Sequence, residues 1–328
     1  MERENGDSRS VLLTGGSGTL GYNILERLAN DSRYKVVAPL RNLDRPCVRR
    51  FGDRVKFIEH DLADAVHTAQ IFERVNPDLV VCCAASGLRP PRASWFELMQ
   101  FNVVSTMRLF QMNCRLAKPS HFIYLSTGLA YREQTRPVSE DDPLETLHPY
   151  GASKAATDLM LQAAAAEFNR RLTIIRPFAF AGVHDGGGRL FPLVLEAAAQ
   201  KKRLNLSAGT QVRDFCSVND IATAVVRIIE TEQDGLIEKF NLGSGLTVPL
   251  RDVILDVCEQ LQLGVDMTFG ASKMHPFEPT YSVADISHAR QKLGWTPETN
   301  LAYAIWELAQ EITPTLALRK PERHRADA

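Results

Sequence analysis

Short apolar and β-branched runs alternate with longer amphipathic segments through the first half of the chain. The runs predict six strands, at residues 11–14, 35–38, 55–59, 79–83, 121–125 and 172–175. Helical patterns lie among them, at residues 22–29, 96–116 and 150–169. Because strands that alternate with helices are typical of parallel βαβ units, the pattern predicts an α/β fold with a doubly wound, Rossmann-type parallel sheet.

After Pro177 the pattern changes to shorter pieces separated by glycine and proline. It predicts helices at residues 191–199, 219–230, 250–261 and 301–312, and short strands near 204–206 and 212–216. We therefore expect a Rossmann domain over residues 1–177 and a smaller α/β substrate-binding cap over residues 178–328, which leaves room for a strand or helix that returns to the first domain. The charged tail from Arg319 is expected to fray.

The composition argues against several classes of protein. Of the 328 residues 45% are hydrophobic and 23% are charged, and the net charge is -1. These values are typical of a globular enzyme and give no reason to expect nucleic acid or a membrane as a partner. The six cysteines lack C-x-x-C spacing and no long apolar run occurs, so we expect no bound metal and a cytoplasmic location.

A glycine-rich turn follows the first predicted strand and precedes a helix. Gly15 suits a tight turn, Gly18 allows the backbone to approach a pyrophosphate, and Gly21 permits close packing of helix on strand. The amide groups at the start of the helix would face the anion. The turn therefore predicts a dinucleotide site formed by Gly15, Ser17, Gly18, Thr19, Leu20 and Gly21.

The end of the second strand should identify the cofactor, because the residue that contacts the adenine ribose lies there. Arg41 occupies this place and suits the 2′-phosphate of NADP, which we favour. If Arg41 is only a solvated surface residue, the cofactor is NAD. Asp61, after the third strand, either accepts a hydrogen bond from the adenine amino group or caps a helix.

Two residues at the start of a long helical pattern suit proton transfer. Tyr150 and Lys154 are four apart and share one helix face. A phenol is a poor base at neutral pH unless a fixed positive charge stabilises its anion, and Lys154 provides that charge. Ser126 and Thr127 stand at the end of the fifth strand. We therefore expect a catalytic group of Tyr150, Lys154 and Thr127.

These motifs together resemble the extended short-chain dehydrogenase/reductases of the nucleotide-sugar epimerase/dehydratase type, and the resemblance covers nearly the whole chain. The matching stretches are residues 14–21, 83–85, 102–106, 125–131, 150–154, 176–178, 209–215 and 292–295.

The resemblance implies a role for each residue of the catalytic group. Tyr150 would exchange a proton with a sugar hydroxyl or ketone, Lys154 would hold the nicotinamide ribose and lower the pKa of Tyr150, and Thr127, beside Ser126, would hydrogen-bond the reacting oxygen. Further cofactor contacts would come from Leu62, Ala84, Ala85 and Pro177. A homodimer would form through a four-helix interface.

The residues after Thr127 narrow the predicted reaction. Dehydratases of this family carry an Asp-Glu pair there, whereas this chain has Gly128 and Leu129. We therefore expect hydride transfer at a sugar carbon without dehydration, by a nucleotide-sugar 4-epimerase or a 4-ketoreductase. A dinucleotide-binding sensor without catalysis is a remote alternative, because the catalytic group is intact.

The substrate side matches the family less well. Arg213 corresponds to an arginine that grips the substrate phosphate, and guanidinium suits that anion. Ala179 replaces an expected asparagine, and residues 273–278 lack a second arginine unless Lys273 or His275 takes its place. We expect a nucleotide sugar as substrate, with a smaller carbonyl or polyol compound as the alternative.

Several other conspicuous residues are predicted to be structural. Asn102 should bond buried backbone near the site, and Tyr131 and Trp295 should be core aromatics. Asp214 and Asp220 should make hydrogen bonds that present Arg213, and His148 should be a loop residue.

Overall fold

Thirteen strands are found in the residues that the computed structural model describes, which are 8–88, 93–186, 188–232, 235–274 and 276–324. In chain order, β1 to β13 are Arg9–Thr14, Tyr34–Leu40, Val55–Glu59, Leu79–Cys82, His121–Leu125, Leu172–Pro177, Ala179–Ala181, Leu204–Leu206, Val212–Arg213, Phe215–Ser217, Ile237–Leu242, Met267–Phe269 and Tyr281–Ser282.

Seven of these strands form one sheet in the order β11-β6-β5-β4-β1-β2-β3. Along the sheet from β3 through β2, β1, β4 and β5 to β6, each strand pairs in parallel with its neighbour. At the edge, the amides of Leu172 and Phe178 donate to the carbonyls of Leu236 and Leu242, which is a parallel progression. The strand order reverses between β1 and β4, and the carboxyl ends of strands at such a point are where α/β sheets bind ligands.

The helices α1 to α11 are Thr19–Ala29, Pro46–Phe51, Ala65–Val75, Trp95–Leu98, Ser105–Arg115, Pro149–Phe168, Leu190–Gln200, Val218–Glu230, Leu250–Leu261, Ser287–Leu293 and Leu301–Ile312. A π-helical segment, Met99–Val104, joins α4 to α5. Some of these helices begin at a side-chain cap: the carboxylate of Asp64 accepts a hydrogen bond from the His67 amide before α3, at 3.0 Å.

The chain divides into two units that interleave along the sequence. The first comprises residues 1–126, 153–175 and 225–239, and the second comprises residues 127–152, 176–224 and 240–328. The assignment of residues 1–177 to cofactor binding and of residues 178–328 to substrate binding stays a prediction.

Each unit has its own buried apolar cluster. In the first, Leu12, Val80 and Phe122 of the sheet pack with Phe110 of α5 and Leu161 of α6. In the second, the cluster is built mainly from helices: Phe191 and Leu195 of α7, Ile254 and Leu261 of α9, and Ile305 of α11. Burial of such side chains at about 25 cal/mol per Å² is the main force that holds each unit together.

Several predicted elements are corrected by the structure. The helix predicted at residues 96–116 contains the π-helical segment, and the strand predicted at 212–216 is interrupted at Asp214. The patterns missed α2, α3 and α10 and the strands β7, β11, β12 and β13. The return element that we left open is the edge strand β11.

The prediction of a fraying tail is wrong for residues 319–324. The Arg319 amide donates to the Leu261 carbonyl at 2.9 Å, and the Asn300 amide donates to the Arg323 carbonyl at 2.8 Å. His324 forms an isolated bridge with Thr299. Backbone bonds to α9 and to the start of α11 hold this segment despite its charge.

Candidate active site

The glycine-rich turn lies at the reversal point of the sheet and is packed too tightly for side chains. Gly15 has a φ of +75°, and a Cβ atom there would lie 2.6 Å from the Ala84 amide nitrogen. A Cβ atom at Gly21 would lie 2.1 Å from the Gly15 carbonyl oxygen. Gly15 therefore lets β1 turn beside the end of β4, and Gly21 lets α1 begin directly against that turn.

The start of α1 suits an anion. Gly18 stands at its N-cap without a side-chain cap, and the first turn contains no acidic residue. Ser17 and Gly18 are exposed, Leu20 is half-buried and Thr19 is buried. The helix N-terminus can therefore receive a pyrophosphate, which is the group that the residues of this turn fit.

The residues predicted to contact adenosine lie on the surface of the first unit. Arg41 is exposed just past β2, and its guanidinium carbon lies 5.6 Å from the centre of the Phe101 ring. Asp61 accepts a hydrogen bond from the Ala63 amide at 3.0 Å, so it stabilises a turn, and the cap of α3 is Asp64. Leu62 and Ala84 are half-buried, and Ala85 is exposed.

Ser126 and Thr127 are both buried, directly after β5. The Thr127 hydroxyl accepts a hydrogen bond from the Leu129 amide at 3.3 Å. The Ser126 hydroxyl has no hydrogen-bond partner within the described part of the chain. A buried hydroxyl without a partner is costly, so Ser126 suits a polar group of a ligand.

Gly128 is covered by an aromatic ring. A Cβ atom at this position would lie 2.9 Å from two atoms of the Phe178 ring. The Phe178 ring stacks on Tyr131, with ring centres 6.3 Å apart. Tyr131 is itself fixed by buried hydrogen bonds to Arg176, at 2.6 Å, and to Asn241, at 2.8 Å. The turn after Thr127 therefore has no room for a side chain at position 128.

Within the second unit, the first turn of α6 packs on the Thr127 turn. A Cβ atom at Gly151 would lie 2.2 Å from the Leu129 carbonyl oxygen, so Gly151 allows this close approach. Tyr150 is buried next to Gly151, and burial raises its pKa to about 12, against the opposing effect of the Arg189 charge. Tyr150 is therefore a neutral phenol at pH 7 before any ligand binds.

Within the first unit, Lys154 reaches the end of β5. Its ammonium donates to the Leu125 carbonyl at 2.5 Å and lies 4.2 Å from the centre of the Tyr124 ring. Burial lowers the pKa of Lys154 to about 8. The lysine therefore remains mostly protonated at neutral pH, one helical turn after Tyr150.

Asn102 links three segments of the first unit, as its predicted role requires. Its side-chain amide accepts from the Ser86 amide at 2.8 Å and donates to the Ser86 carbonyl at 3.0 Å and to the Ser153 hydroxyl at 2.9 Å. Asn102 lies in the π-helical segment, and such segments are frequent at functional sites.

Tyr131 and Trp295 are buried, which confirms the prediction that they are core aromatics. That Asp214 and Asp220 present Arg213 stays a prediction, although both make hydrogen bonds. The Asp214 carboxylate accepts from the backbone amides of Ser244, Gly245 and Ala284, and Asp220 accepts from Thr299. His148 precedes α6, where its ring accepts from the Gly151 amide at 3.3 Å.

Arg213 lies in the second unit and is already engaged. Its guanidinium donates to a Glu278 carboxylate oxygen at 2.9 Å and to the Pro279 carbonyl at 2.6 Å. The arginine is buried, whereas Glu278 is partly exposed. His275, one of the residues proposed to replace a second arginine, lies outside the described residues.

Three of these residues were not identified as functional from the sequence. Gly151 lies within the motif helix, one position after Tyr150. Its place in the motif could have indicated it. Phe178 and Glu278 act across 50 and 65 positions, to Gly128 and Arg213, so only the fold identifies them.

Comparison with known proteins gives the family. The model of the NAD dependent epimerase/dehydratase family matches residues 11–243, which is most of the chain. The chain belongs to this family. The predicted membership of the extended short-chain dehydrogenase/reductases, and with it an NAD(P)-dependent enzyme, is confirmed.

Relatives and solved structures resemble this member of the family along its length. UDP-glucose 4-epimerase from Corynebacterium glutamicum is 26% identical over 338 residues, which cover 94% of this chain and 97% of that protein. dTDP-glucose 4,6-dehydratase from Shigella flexneri is 25% identical over 344 residues, covering 91% and 92%.

The fold class is confirmed by a solved structure. UDP-glucuronic acid 4-epimerase from Bacillus cereus, in complex with UDP-glucuronic acid and NAD, has a TM-score of 0.85 at 24% identity. The match covers 94% of this chain and all of that one.

Two further findings concern the described residues only. Those residues contain no helix that is long and apolar enough to cross a membrane. They also contain no group of three or more His, Cys, Asp or Glu side chains that could hold a metal ion.

Proposed function

We propose that the protein is an NAD(P)-dependent nucleotide-sugar 4-epimerase. The observation that carries this proposal is the packing of Gly151 on the Leu129 carbonyl, which joins the Tyr150 turn to the Thr127 turn. A proton-transferring phenol and a hydroxyl that can orient the substrate oxygen are thereby held by neighbouring backbone. The 4-epimerases among the relatives support the same reaction.

Each residue of the catalytic group has a defined task in this reaction. Thr127 and Ser126, whose hydroxyl has no partner among the described residues, hydrogen-bond the sugar oxygen that becomes a ketone. Tyr150 takes the proton of that hydroxyl and later returns it. The nicotinamide dinucleotide, when bound, supplies the hydride acceptor and donor. Since burial raises the pKa of Tyr150 to about 12, positive charge must develop or bind nearby before the phenol can act as a base.

The arrangement at position 128 favours epimerisation over dehydration. A dehydratase needs an acid and a base beside the hydroxyl that leaves. Gly128 has no side chain, Leu129 is apolar, and Phe178 fills the space into which an acid at position 128 would extend. A 4-ketoreductase uses the same Tyr150, Lys154 and Thr127, so it remains the second candidate.

The substrate class rests on Arg213 and on the relatives. We propose that Arg213 binds the diphosphate of a nucleotide sugar, since its guanidinium is buried and oriented by Glu278 and Pro279. Solved relatives hold UDP-glucuronic acid or UDP-glucose. The smaller carbonyl or polyol substrate is the alternative if Arg213 serves only to pair with Glu278.

For the cofactor we propose NADP, with NAD as the alternative. Arg41 is exposed at the end of β2, where a 2′-phosphate would lie, and Phe101 stacks beneath it. Solved relatives such as UDP-glucuronic acid 4-epimerase from Bacillus cereus contain NAD, which favours the alternative. Denaturing the purified protein and identifying any released nucleotide decides between the two.

We also propose a homodimer through α5 and α6. A groove of about 320 Å³ runs between these helices in the first unit. It is lined mainly by apolar side chains, among them Val103, Met107, Met160 and Phe168. Leu159, Met160 and Phe168 are about half exposed, so a second copy of the two helices would bury them as a four-helix interface. Sedimentation of Met160→Asp should show a monomer.

A cytoplasmic location is part of this proposal. None of the six cysteines, all of which lie in the described part of the chain, forms a disulfide, which suits a reducing compartment.

The test of the reaction is direct. Purified protein should convert a UDP-hexose or UDP-uronic acid to its 4-epimer without net consumption of cofactor. Stoichiometric oxidation of added NADPH with a 4-keto sugar would instead identify a ketoreductase. Elimination of water from the sugar would contradict the assignments at positions 128 and 129.

A further inference from the structure

Lys154 is followed one helical turn later by a second buried charged residue. Asp158 lies four positions after Lys154 on α6, within the same unit. The exposed fraction of Lys154 is 1% and that of Asp158 is 0%. Residues at this spacing share one helix face, and aspartate is seldom buried so completely without a compensating charge.

Neutral groups also lie around the Lys154 ammonium in the described part of the chain. They include the Tyr124 ring, the Leu125 carbonyl and the thiols of Cys82 and Cys83. Burial raises the pKa of both thiols, so neither is ionised near pH 7. Among these neighbours in the described part of the chain, Asp158 is therefore the side chain that can supply a negative charge to favour protonated Lys154 near pH 7.

We propose that Asp158 is a positioning residue that acts through Lys154: its carboxylate is the counter-charge that keeps the buried lysine protonated. A buried ammonium is costly in a low-dielectric interior unless an opposite charge lies close to it. Removal of that charge would leave Lys154 as a neutral amine. A neutral amine cannot stabilise the Tyr150 anion, and it supplies no positive charge beside a bound dinucleotide. The effect on turnover rests on the proposed function, whereas the charge pairing does not.

The first experiment measures the pairing without any activity. Thermal unfolding at pH 7 is compared for the unmodified protein, Lys154→Met, Asp158→Asn and the double variant. Each single variant leaves one buried charge without its counter-charge, and the double variant removes both charges. The double variant should therefore unfold at a higher temperature than the less stable single variant. Strictly additive losses would overturn the proposal. If Asp158→Asn alone does not fold, recovery of folded protein in the double variant supports the pairing, and no recovery contradicts it.

The second experiment reads the protonation state of Lys154 through its effect on the reaction. Lys154 loses its charge as the pH rises through its folded pKa of about 8. Without the Asp158 charge this pKa falls, so the alkaline limb of the turnover profile should move to lower pH by about one unit or more in Asp158→Asn. Asp158→Glu should restore the limb at least in part.

Thr157→Val is the matched control. Thr157 is as buried as Asp158 and donates to the Asn102 carbonyl at 3.0 Å, but it carries no charge. It should lower stability and leave the alkaline limb in place. An unmoved limb in Asp158→Asn, or an equal shift in Thr157→Val, would overturn the proposal. If no epimerase activity is found, the unfolding experiment still decides the pairing.

Discussion

The turn around Tyr150 and the segment around Arg213 are held in different ways. Tyr150 and Thr127 belong to turns that meet through backbone, with Gly151 against the Leu129 carbonyl. Arg213 is held through its own side chain, which donates to the Glu278 carboxylate at 2.9 Å and to the Pro279 carbonyl at 2.6 Å. Backbone packing fixes a catalytic atom closely, whereas an ion pair between side chains can open when a competing anion arrives.

This difference suggests a division of labour. The reacting proton must be positioned within fractions of an ångström, so a rigid backbone contact suits it. Substrate phosphates need only strong, orientable donors, and Glu278 can orient Arg213 before the anion binds. Mutations in the two regions should therefore affect different kinetic constants.

The largest effect is expected for Tyr150→Phe. It removes the transferable proton and keeps the ring, so folding should be retained and turnover should fall by about 10²–10⁴-fold. The measurement is kcat with a UDP-sugar, beside a circular dichroism spectrum. Near-normal turnover would show that Tyr150 does not transfer the proton, and the turn around Tyr150 would then no longer be the catalytic region of this comparison.

Arg213→Ala should change KM more than kcat. Loss of charge-assisted hydrogen bonds of about 1.5–3 kcal/mol should raise KM for a nucleotide sugar by about 10–100-fold, with a smaller change in kcat. Arg213→Lys keeps the charge but loses the two-pronged donor, so its KM should lie between those of the unmodified protein and Arg213→Ala.

Glu278→Gln sharpens the same comparison. If Glu278 only orients Arg213, KM should change little, whereas a carboxylate that competes with the phosphate would be revealed by a lower KM. Equal reactivity of the simple sugar, together with no effect of Arg213→Ala, would favour the smaller-substrate alternative.

How far the sequence predicted these two regions follows from the same difference. The bounds of β3 and β5, and of α9 and α11, agree with their patterns, and Tyr150 and Lys154 share α6 as their spacing predicted. These features depend on neighbours within a few residues. The glycine turn could be predicted in part for the same reason, because a Cβ atom at Gly18 or Gly21 would meet the carbonyl oxygen of nearby Gly15, whereas Gly15 packs against distant Ala84.

Longer-range features were beyond pattern analysis. Phe178 covers Gly128 and Glu278 pairs with Arg213 only because the fold brings distant segments together. The π-helical segment was also missed, since its apolar pattern continues that of an ordinary helix. The predicted tail failed for a related reason, because Arg319 and Arg323 are held by backbone bonds to which their charges are irrelevant.

A smaller effect is expected for Arg41→Ala. Arg41 is exposed, so water and salt screen its charge, and the loss of NADP affinity should be at the low end of a charge-assisted bond, about 1.5 kcal/mol or roughly tenfold. NAD affinity should remain unchanged. Titration of both cofactors at low and high salt is the measurement. Equal losses for the two would show that Arg41 does not contact the 2′-phosphate.

The smallest effect concerns the contact that separates epimerisation from dehydration. In Gly128→Ala the new methyl group would meet the Phe178 ring at 2.9 Å, so the ring must shift, at a cost of about 1 kcal/mol in the free energy of unfolding. Gly264→Ala is the control, because nothing lies within 4 Å of a Cβ atom there, and it should cost nothing. In a Phe178→Ala background the cost of Gly128→Ala should disappear, since the clashing atoms are gone. Urea unfolding of the four variants measures this coupling. If Gly128→Ala lowers the free energy of unfolding equally with and without the ring, Phe178 does not close position 128. The ring would then not be what excludes an acidic side chain there. If the coupling is found, Gly128→Asp should be tolerated only where Phe178 has been replaced, because a carboxylate needs more room than a methyl group.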